Sequence, residues 1–133
     1  MQILAVRDAP ENPLLQPTHH RWSVTDYYRM AASGVLTERD RVELIEGELI
    51  DMAPIGSRHA FLVDRLVELF YSARPSGASP FVLRCQSPVR LSGWSEPRPD
   101  IALLRPGNYA DAHPGPDDVL LIVEVAQLLP ETR

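Results

Sequence analysis

Lysine is missing from this sequence of 133 residues, so all thirteen basic residues are arginines. The sequence also has a single cysteine, Cys85, which excludes an internal disulfide framework and is typical of a reducing cytoplasm. Because Cys85 lies among strand-forming residues, we expect a buried, unreactive thiol. No apolar run approaches the ~20 residues that cross a bilayer, and the N-terminus lacks the pattern of a signal peptide. A cytoplasmic protein with no membrane partner is expected.

A basic surface is also missing. The formal net charge of −5 argues against a protein that coats nucleic acid non-specifically, since such a protein needs excess positive charge. The charge does not exclude an enzyme that acts on nucleic acid, because carboxylates clustered in a site themselves make a protein acidic. The length fits one domain. We predict an irregular, proline-containing arm over residues 1–21 and a single domain over residues 22–133.

Two helices are predicted from caps and apolar spacing. The first begins with Ser23 or Thr25 as its N-cap and stops near Gly34. The second is capped by Ser57 and runs to about Ala73. Its apolar stripe consists of Leu62, Leu66, Leu69 and Ala73, widened by Val63 and Phe70.

A hairpin is predicted between these helices. It turns at Glu46–Gly47, which resembles the Asp-Gly signal of a two-residue turn. A turn centred there pairs Leu44 with Leu49 and Glu43 with Ile50.

Three further strands are predicted in the second half of the chain. Phe81–Leu91 alternates in its first half and is interrupted at Pro88. The next strand runs from about Asp100 to Leu104. The third, Val119–Ala126, is the most continuously apolar run and predicts a strand covered on both faces.

Glu124 lies inside that apolar run and is therefore the most informative residue. Burying an ionised carboxylate costs several kcal/mol unless a cation, hydrogen bonds or a metal compensates. Sequential strands are usually neighbours, so Asp100 and Glu124 could converge, and a divalent metal would relieve their repulsion. The alternative is structural: Asp100 caps a turn, and Glu124 pairs with a buried arginine such as Arg84. Composition does not decide between a metal site and this structural alternative.

The other candidate site residues also have purely structural explanations. His59 begins the apolar face of the second helix, where a satisfied core histidine is commoner than a ligand. Glu43 reads more simply as a surface charge of the hairpin. Four arginines could line a phosphate-binding mouth, although scattered arginines are usually solvated: Arg58, Arg84, Arg90 and Arg98.

Several collinear segments resemble one family. They read VELIEGELIDMAPIGSRHAFLVDRL, QSPVRL and SEPRPDIALLRPGNYADAHPGPDDVLLIVEVA. Over roughly residues 22–126 the chain strongly resembles the Uma-type restriction endonucleases of the PD-(D/E)XK superfamily. The resemblance implies an α/β fold with a mixed sheet flanked by helices.

The resemblance also implies a site and a chemistry. Asp100 matches the aspartate of the proline-aspartate motif, and Glu124 matches the second acidic metal ligand. Glu43 matches the acidic position of the hairpin, His59 the histidine that opens the next helix, and the backbone carbonyl of Val125 would join the metal shell. The implied activity is Mg²⁺- or Mn²⁺-assisted hydrolysis of phosphodiester bonds in DNA.

The chain departs from the family pattern after Ala126. Family members continue with a helix that carries an aspartate and a lysine, whereas this sequence continues QLLPETR. We therefore expect a shortened copy that lacks the C-terminal part of the core, with compromised activity. Exposed apolar surface on the last strand would follow, with lower stability or association into a homo-oligomer. A non-catalytic remnant that binds metal or protein is the alternative.

Overall fold

The computed structural model describes residues 17–126. Most of the predicted N-terminal arm and the segment that follows Ala126 lie outside these residues. The elements within them, in chain order, are α1 (Val24–Ser33), β1 (Val42–Ile45), β2 (Glu48–Asp51), α2 (Ser57–Ser72), β3 (Val82–Cys85), β4 (Ile101–Leu104), a 3₁₀ turn (Pro116–Asp118) and β5 (Val119–Val123). Within this range, no helix combines the length and the apolar character needed to cross a membrane.

The α/β class predicted from the sequence is confirmed. In the described residues the strands form two antiparallel sheets, one of β1 and β2 and one with the order β3-β4-β5. An isolated bridge ties β1 to the segment between β3 and β4, where the Glu96 N–H donates to the Leu44 carbonyl over 2.8 Å. Leu44 is fully buried at this junction, so the hairpin is packed into the rest of the domain.

Helix α1 begins and ends at residues that the sequence indicates. Ser23 is the N-cap: its side chain accepts a hydrogen bond from the Asp26 N–H, and the Asp26 carboxylate accepts one from the Ser23 N–H. This reciprocal pair is a capping box and decides the cap in favour of Ser23 over Thr25. Gly34 ends the helix with a φ of 83°, a conformation that glycine adopts without strain.

The predicted hairpin register is confirmed. Leu44 pairs with Leu49 and Glu43 with Ile50, around a turn at Glu46 and Gly47. Both turn residues have positive φ, 49° and 81°, as a tight turn between twisted strands requires.

Helix α2 has nearly the predicted length but a different cap and a rotated buried face. Its N-cap is Gly56 and not Ser57, and no side chain caps it. The residues that pack on the sheet are Val63, Leu66, Val67 and Phe70. Leu62 and Leu69 of the predicted stripe are 38% and 61% exposed. The helix carries apolar residues over more than one face, so the position of the sheet selects the buried one.

The three-stranded sheet has two different faces because strand side chains alternate. Ile101 and Leu103 of β4 face α2 and pack against Val63. Ala102 and Leu104 face the other way and pack with Val89, Val82, Tyr109 and Val119. All four β4 residues are buried, so this central strand is the one covered on both sides.

Two burial predictions for the edge strands are wrong. β5 ends at Val123, and its central residues Leu120, Leu121 and Ile122 are 50%, 44% and 37% exposed. Cys85, at the end of β3, is also exposed. Both strands lie at the edges of the sheet, where fewer described residues cover them. Partial desolvation, with the charges of Asp64 and Asp100, still raises the pKa of the Cys85 thiol, which disfavours the reactive thiolate.

Candidate functional site

The β4–β5 register brings Asp100 and Glu124 together. Ile101 pairs with Val123 at the end of the ladder, so Asp100 and Glu124 occupy the next position outward. The backbone N–H of Val125 donates to Asp100 Oδ2 over 2.8 Å. Glu124 therefore lies just beyond the strand and not within it, at the point where the chain leaves the sheet.

His59 approaches the same carboxylate from α2. Its Nε2 lies 3.0 Å from Asp100 Oδ1, and the two side chains are only 14% and 11% exposed. The cause is the packing of the helix: Val63, one turn further along, contacts Ile101, and this places the first turn of α2 over the end of β4. Both oxygens of Asp100 are thus held by named partners, which fixes the orientation of the carboxylate.

Glu43 reaches the site from the hairpin. Its Oε2 accepts a hydrogen bond of 3.0 Å from the Arg98 backbone N–H, and the residue is half-buried. Glu43 is therefore not the solvated hairpin charge of the simpler interpretation. The backbone just before Pro99 and Asp100 holds it beside the other two acidic residues.

These acidic residues act on one another electrostatically. Partial burial, the nearby charge of Asp100 and, more weakly, that of Glu43 raise the pKa of Glu124 to about 7. Like charges in a partly desolvated cleft disfavour ionisation unless a cation is present. The site is consequently one that a positively charged ligand would stabilise.

A cleft of about 320 Å³ brings together the five residues that the family resemblance implies for the metal site. Glu43, His59, Asp100, Glu124 and Val125 line it. The remaining lining residues are Arg41, Asp51, Met52, Ala53, Pro54, Ile55 and Gln86.

Sequence reasoning missed Arg41 and Gln86. Gln86 follows β3 with a φ of 52°, and its N–H donates to the Pro99 carbonyl over 3.0 Å. Arg41 precedes the hairpin and reaches the Ala53 carbonyl. Neither position has a spacing that would have indicated a site, because only the meeting of the hairpin with the sheet places them there.

The structural alternative for Glu124 is not observed. Across residues 17–126 no arginine lies within ion-pair distance of Glu124, and Arg84 makes no salt bridge. None of the four arginines proposed for a phosphate-binding mouth lines this cleft, and two of them, Arg84 and Arg90, line a separate pocket.

The donor set suits a hard divalent cation held by few protein ligands. No group of three or more His, Cys, Asp or Glu side chains in the described part of the chain is arranged to hold a metal. Mg²⁺ does not need such a cage, since one or two carboxylates and several waters usually bind it. Asp100 and Glu124 meet that requirement, and burial together with the charge of Asp100 raises the pKa of Glu124 to about 7.

The fold and the cleft together define a class of protein. Two helices pack with small antiparallel sheets, and acidic residues gather at the end of a central strand, as in a restriction-endonuclease-like fold. A family model, Uma2, described as "Putative restriction endonuclease", matches residues 24–127. The chain belongs to this family, whose description indicates a nuclease. Searches of curated proteins and of solved structures found no match.

Proposed function

We propose that this chain is a Mg²⁺- or Mn²⁺-dependent endonuclease that hydrolyses phosphodiester bonds in DNA. One observation carries the proposal: the strand register makes Asp100 and Glu124 neighbours at one end of the sheet, in a cleft shared with Glu43 and His59. Family membership supports the nuclease class. We place the protein in the cytoplasm on the basis of its sequence.

The residues of the cleft divide into metal ligands and groups that act around them. Asp100, Glu124 and the backbone carbonyl of Val125 would hold the ion. A bound ion of this kind polarises the scissile phosphate and lowers the pKa of the attacking water. His59 keeps the Asp100 carboxylate in one orientation through its 3.0 Å contact.

Glu43 is the group available for proton transfer. Only one of its oxygens is engaged by the Arg98 N–H, so the other is free to accept a proton from water. In the proposed step the water oxygen attacks phosphorus, the bond from phosphorus to the leaving sugar oxygen breaks, and Glu43 takes the proton. Solvent protonates the leaving oxygen.

We propose that hydrolysis is slow. The superfamily uses a lysine near the attacking water, and this sequence contains none. Among residues 17–126, Arg41 is the one arginine that lines the cleft. A guanidinium can stabilise negative charge on a phosphate, but it is bulkier than an ammonium and does not deprotonate.

The lack of lysine also favours a second candidate, a non-catalytic remnant of the nuclease fold that binds metal or a protein. The two candidates differ in one respect. The remnant binds a divalent cation in the cleft or holds a protein partner, and leaves DNA intact.

Nicking of supercoiled DNA with Mg²⁺ or Mn²⁺ tests the enzyme. We expect slow, metal-dependent nicking by the wild-type protein and at least a ~100-fold loss in Asp100→Asn and in Glu124→Gln. Changes to residues that merely support metal ligands already cost about 10- to 100-fold. Glu68→Gln, on the exposed side of α2, is the matched control and should nick at the wild-type rate.

Calorimetric titration with Mn²⁺ separates the candidates. If the wild-type protein binds Mn²⁺ and Asp100→Asn does not, yet no nicking occurs, the remnant is correct. If neither nicking nor binding occurs in a protein with a folded circular dichroism spectrum, the metal site itself is refuted.

A further inference from the structure

A second pocket lies on the face of the three-stranded sheet opposite α2. Arg84 pairs with Ala102 across β3 and β4, so its side chain projects from the face that carries Ala102 and Leu104. The pocket has a volume of about 410 Å³ and shares no lining residue with the acidic cleft. Its lining consists of Tyr28, Arg84, Arg90, Tyr109, Ala110, Asp111, Ala112 and His113.

Arg84 lacks a partner for part of its guanidinium. Its Nη1 is buried and makes no hydrogen bond with any described group. Buried polar groups are hydrogen-bonded in the great majority of cases, and a charged donor without an acceptor is expensive. An acceptor that came within hydrogen-bond distance of this nitrogen would remove this cost.

Arg90 is held in place by a buried carboxylate. Glu96 is only 2% exposed, and its Oε2 accepts a hydrogen bond of 2.9 Å from Arg90 Nε. The Tyr28 hydroxyl donates to the other oxygen of Glu96, and the guanidinium lies over the Tyr28 ring at 5.5 Å. The hydrogen bonds that Arg90 makes in the described structure include those of its Nε and of its backbone N–H.

The loop after β4 closes the pocket. The Arg90 N–H donates to the Pro114 carbonyl over 2.8 Å, which ties this loop to the strand region. Tyr109 adds an aromatic wall and His113 a ring nitrogen. Two guanidiniums line the pocket, and they are offset by Asp111 and by the buried Glu96 that pairs with Arg90. The group without a partner is on Arg84, and a charged donor of this kind favours an anionic acceptor.

We propose that this pocket binds a phosphate group of a nucleotide-sized ligand, with Arg84 and Arg90 as the phosphate contacts and Tyr28 and Tyr109 against the base. The volume is that of a small-molecule site. Paired arginines match the oxygens of a phosphate, and tyrosine rings stack on any base. The source is either a free mononucleotide or the phosphodiester of a nucleic-acid strand.

Calorimetric titration in EDTA tests the pocket without involving the metal cleft. The probes are inorganic phosphate, AMP, a dinucleoside phosphodiester and adenosine. We expect saturable binding of phosphate and tighter binding of AMP, whereas adenosine, which lacks a phosphate, does not bind. Binding of the diester as tightly as AMP identifies a strand as the source, and its failure to bind identifies a free nucleotide.

Three variants make the assignment specific. Arg84→Gln should weaken AMP binding at least about tenfold, the least expected for a lost charged hydrogen bond. Its melting temperature without ligand should not fall, because a buried unpaired donor is removed. Arg90→Gln combined with Glu96→Gln removes the second contact without leaving a buried carboxylate unpaired. Arg65→Gln, on exposed α2, should bind as the wild-type protein does.

These binding measurements decide whether the pocket binds phosphate, and their results do not depend on the proposed nuclease activity. Absence of saturable phosphate and AMP binding up to ~10 mM, a range set by the weakest specific affinities, overturns the proposal. Equal affinity in Arg84→Gln and wild type also overturns it, as does equal binding of adenosine and AMP. Asp100→Asn should bind AMP normally, so failure of the cleft and failure of this pocket are distinguishable.

Discussion

At the scale of single residues, Asp100 is the most constrained group in the cleft. One oxygen contacts His59 and the other accepts the Val125 N–H. Within residues 17–126, Glu124 has no comparable hydrogen-bonding partner outside the acidic residues of the cleft, and partial burial together with the charge of Asp100 raises its pKa to about 7. Glu124 is therefore a carboxylate that changes its protonation state near neutral pH.

The raised pKa of Glu124 predicts a pH-dependent stability in the absence of metal. The folded protein holds this proton more tightly than the unfolded chain, whose pKa is near 4.5. The stabilisation is therefore complete below about pH 4.5 and is lost as the pH rises to about 7. We expect the melting temperature of the wild-type protein in EDTA to fall across this range relative to that of Glu124→Gln, measured by calorimetry.

The comparison with Glu124→Gln isolates this carboxylate together with its effect on the neighbouring acidic residues, because groups distant from the cleft titrate alike in both proteins. Parallel melting curves of the two proteins across the window would contradict the prediction. A wild-type melting temperature that rises with pH faster than that of the variant would contradict its sign.

At the scale of elements, turns and caps control where the cleft residues lie. Gly47 has a φ of 81°, and a Cβ added there would meet the Cβ of Arg21 at 2.7 Å. Its N–H also donates to the Trp94 carbonyl, which ties the hairpin to the loop that precedes Glu96. The position of Glu43 in the cleft depends on this attachment.

Two glycines provide a matched pair for testing that dependence. Gly34 has a similar φ of 83°, but a Cβ there meets nothing within 4 Å. We expect Gly34→Ala to cost about 1–2 kcal/mol of unfolding free energy from strain alone. Gly47→Ala should cost roughly 1–3 kcal/mol more, because the clash adds to the strain. Urea denaturation measures both, and equal losses would show that the Arg21 contact does not matter.

At the scale of the whole molecule, apolar side chains remain exposed on two elements. Phe61 and Leu69 of α2 are 59% and 61% exposed, and Leu120 and Leu121 of the edge strand β5 are 50% and 44% exposed. Exposed apolar side chains and the edge strand of a sheet both favour contact with another chain.

Self-association is therefore the expected behaviour at high concentration. Sedimentation velocity should show a weight-average mass that increases with concentration, and Leu69→Gln should weaken this association. Val35→Gln is the control, because Val35 is 70% exposed but lies in the loop after α1. A monomer of constant mass over the whole concentration range would refute the prediction.

The sequence determined the local structure with good accuracy. Capping chemistry limited the start of α1 to Ser23 or Thr25 and placed its end at Gly34, and the Glu46–Gly47 turn fixed the register of Glu43 against Ile50. These features depend on interactions between residues close in the chain. The proximity of Asp100 and Glu124 was also predictable, because consecutive strands tend to pair and one register aligns both residues.

Only the tertiary structure decided which surfaces are buried and what else enters the two pockets. Helix α2 could bury Leu62 and Leu69 or Val63 and Phe70, and the position of the sheet selected the second pair. Whether β5 is buried depends on residues that are distant in the chain. The apolar sequence of β5 does not show which residues cover it. The sequence also does not show that Nη1 of Arg84 lacks a hydrogen-bond partner. Hydrogen-bond partners depend on how the side chains pack in the assembled fold.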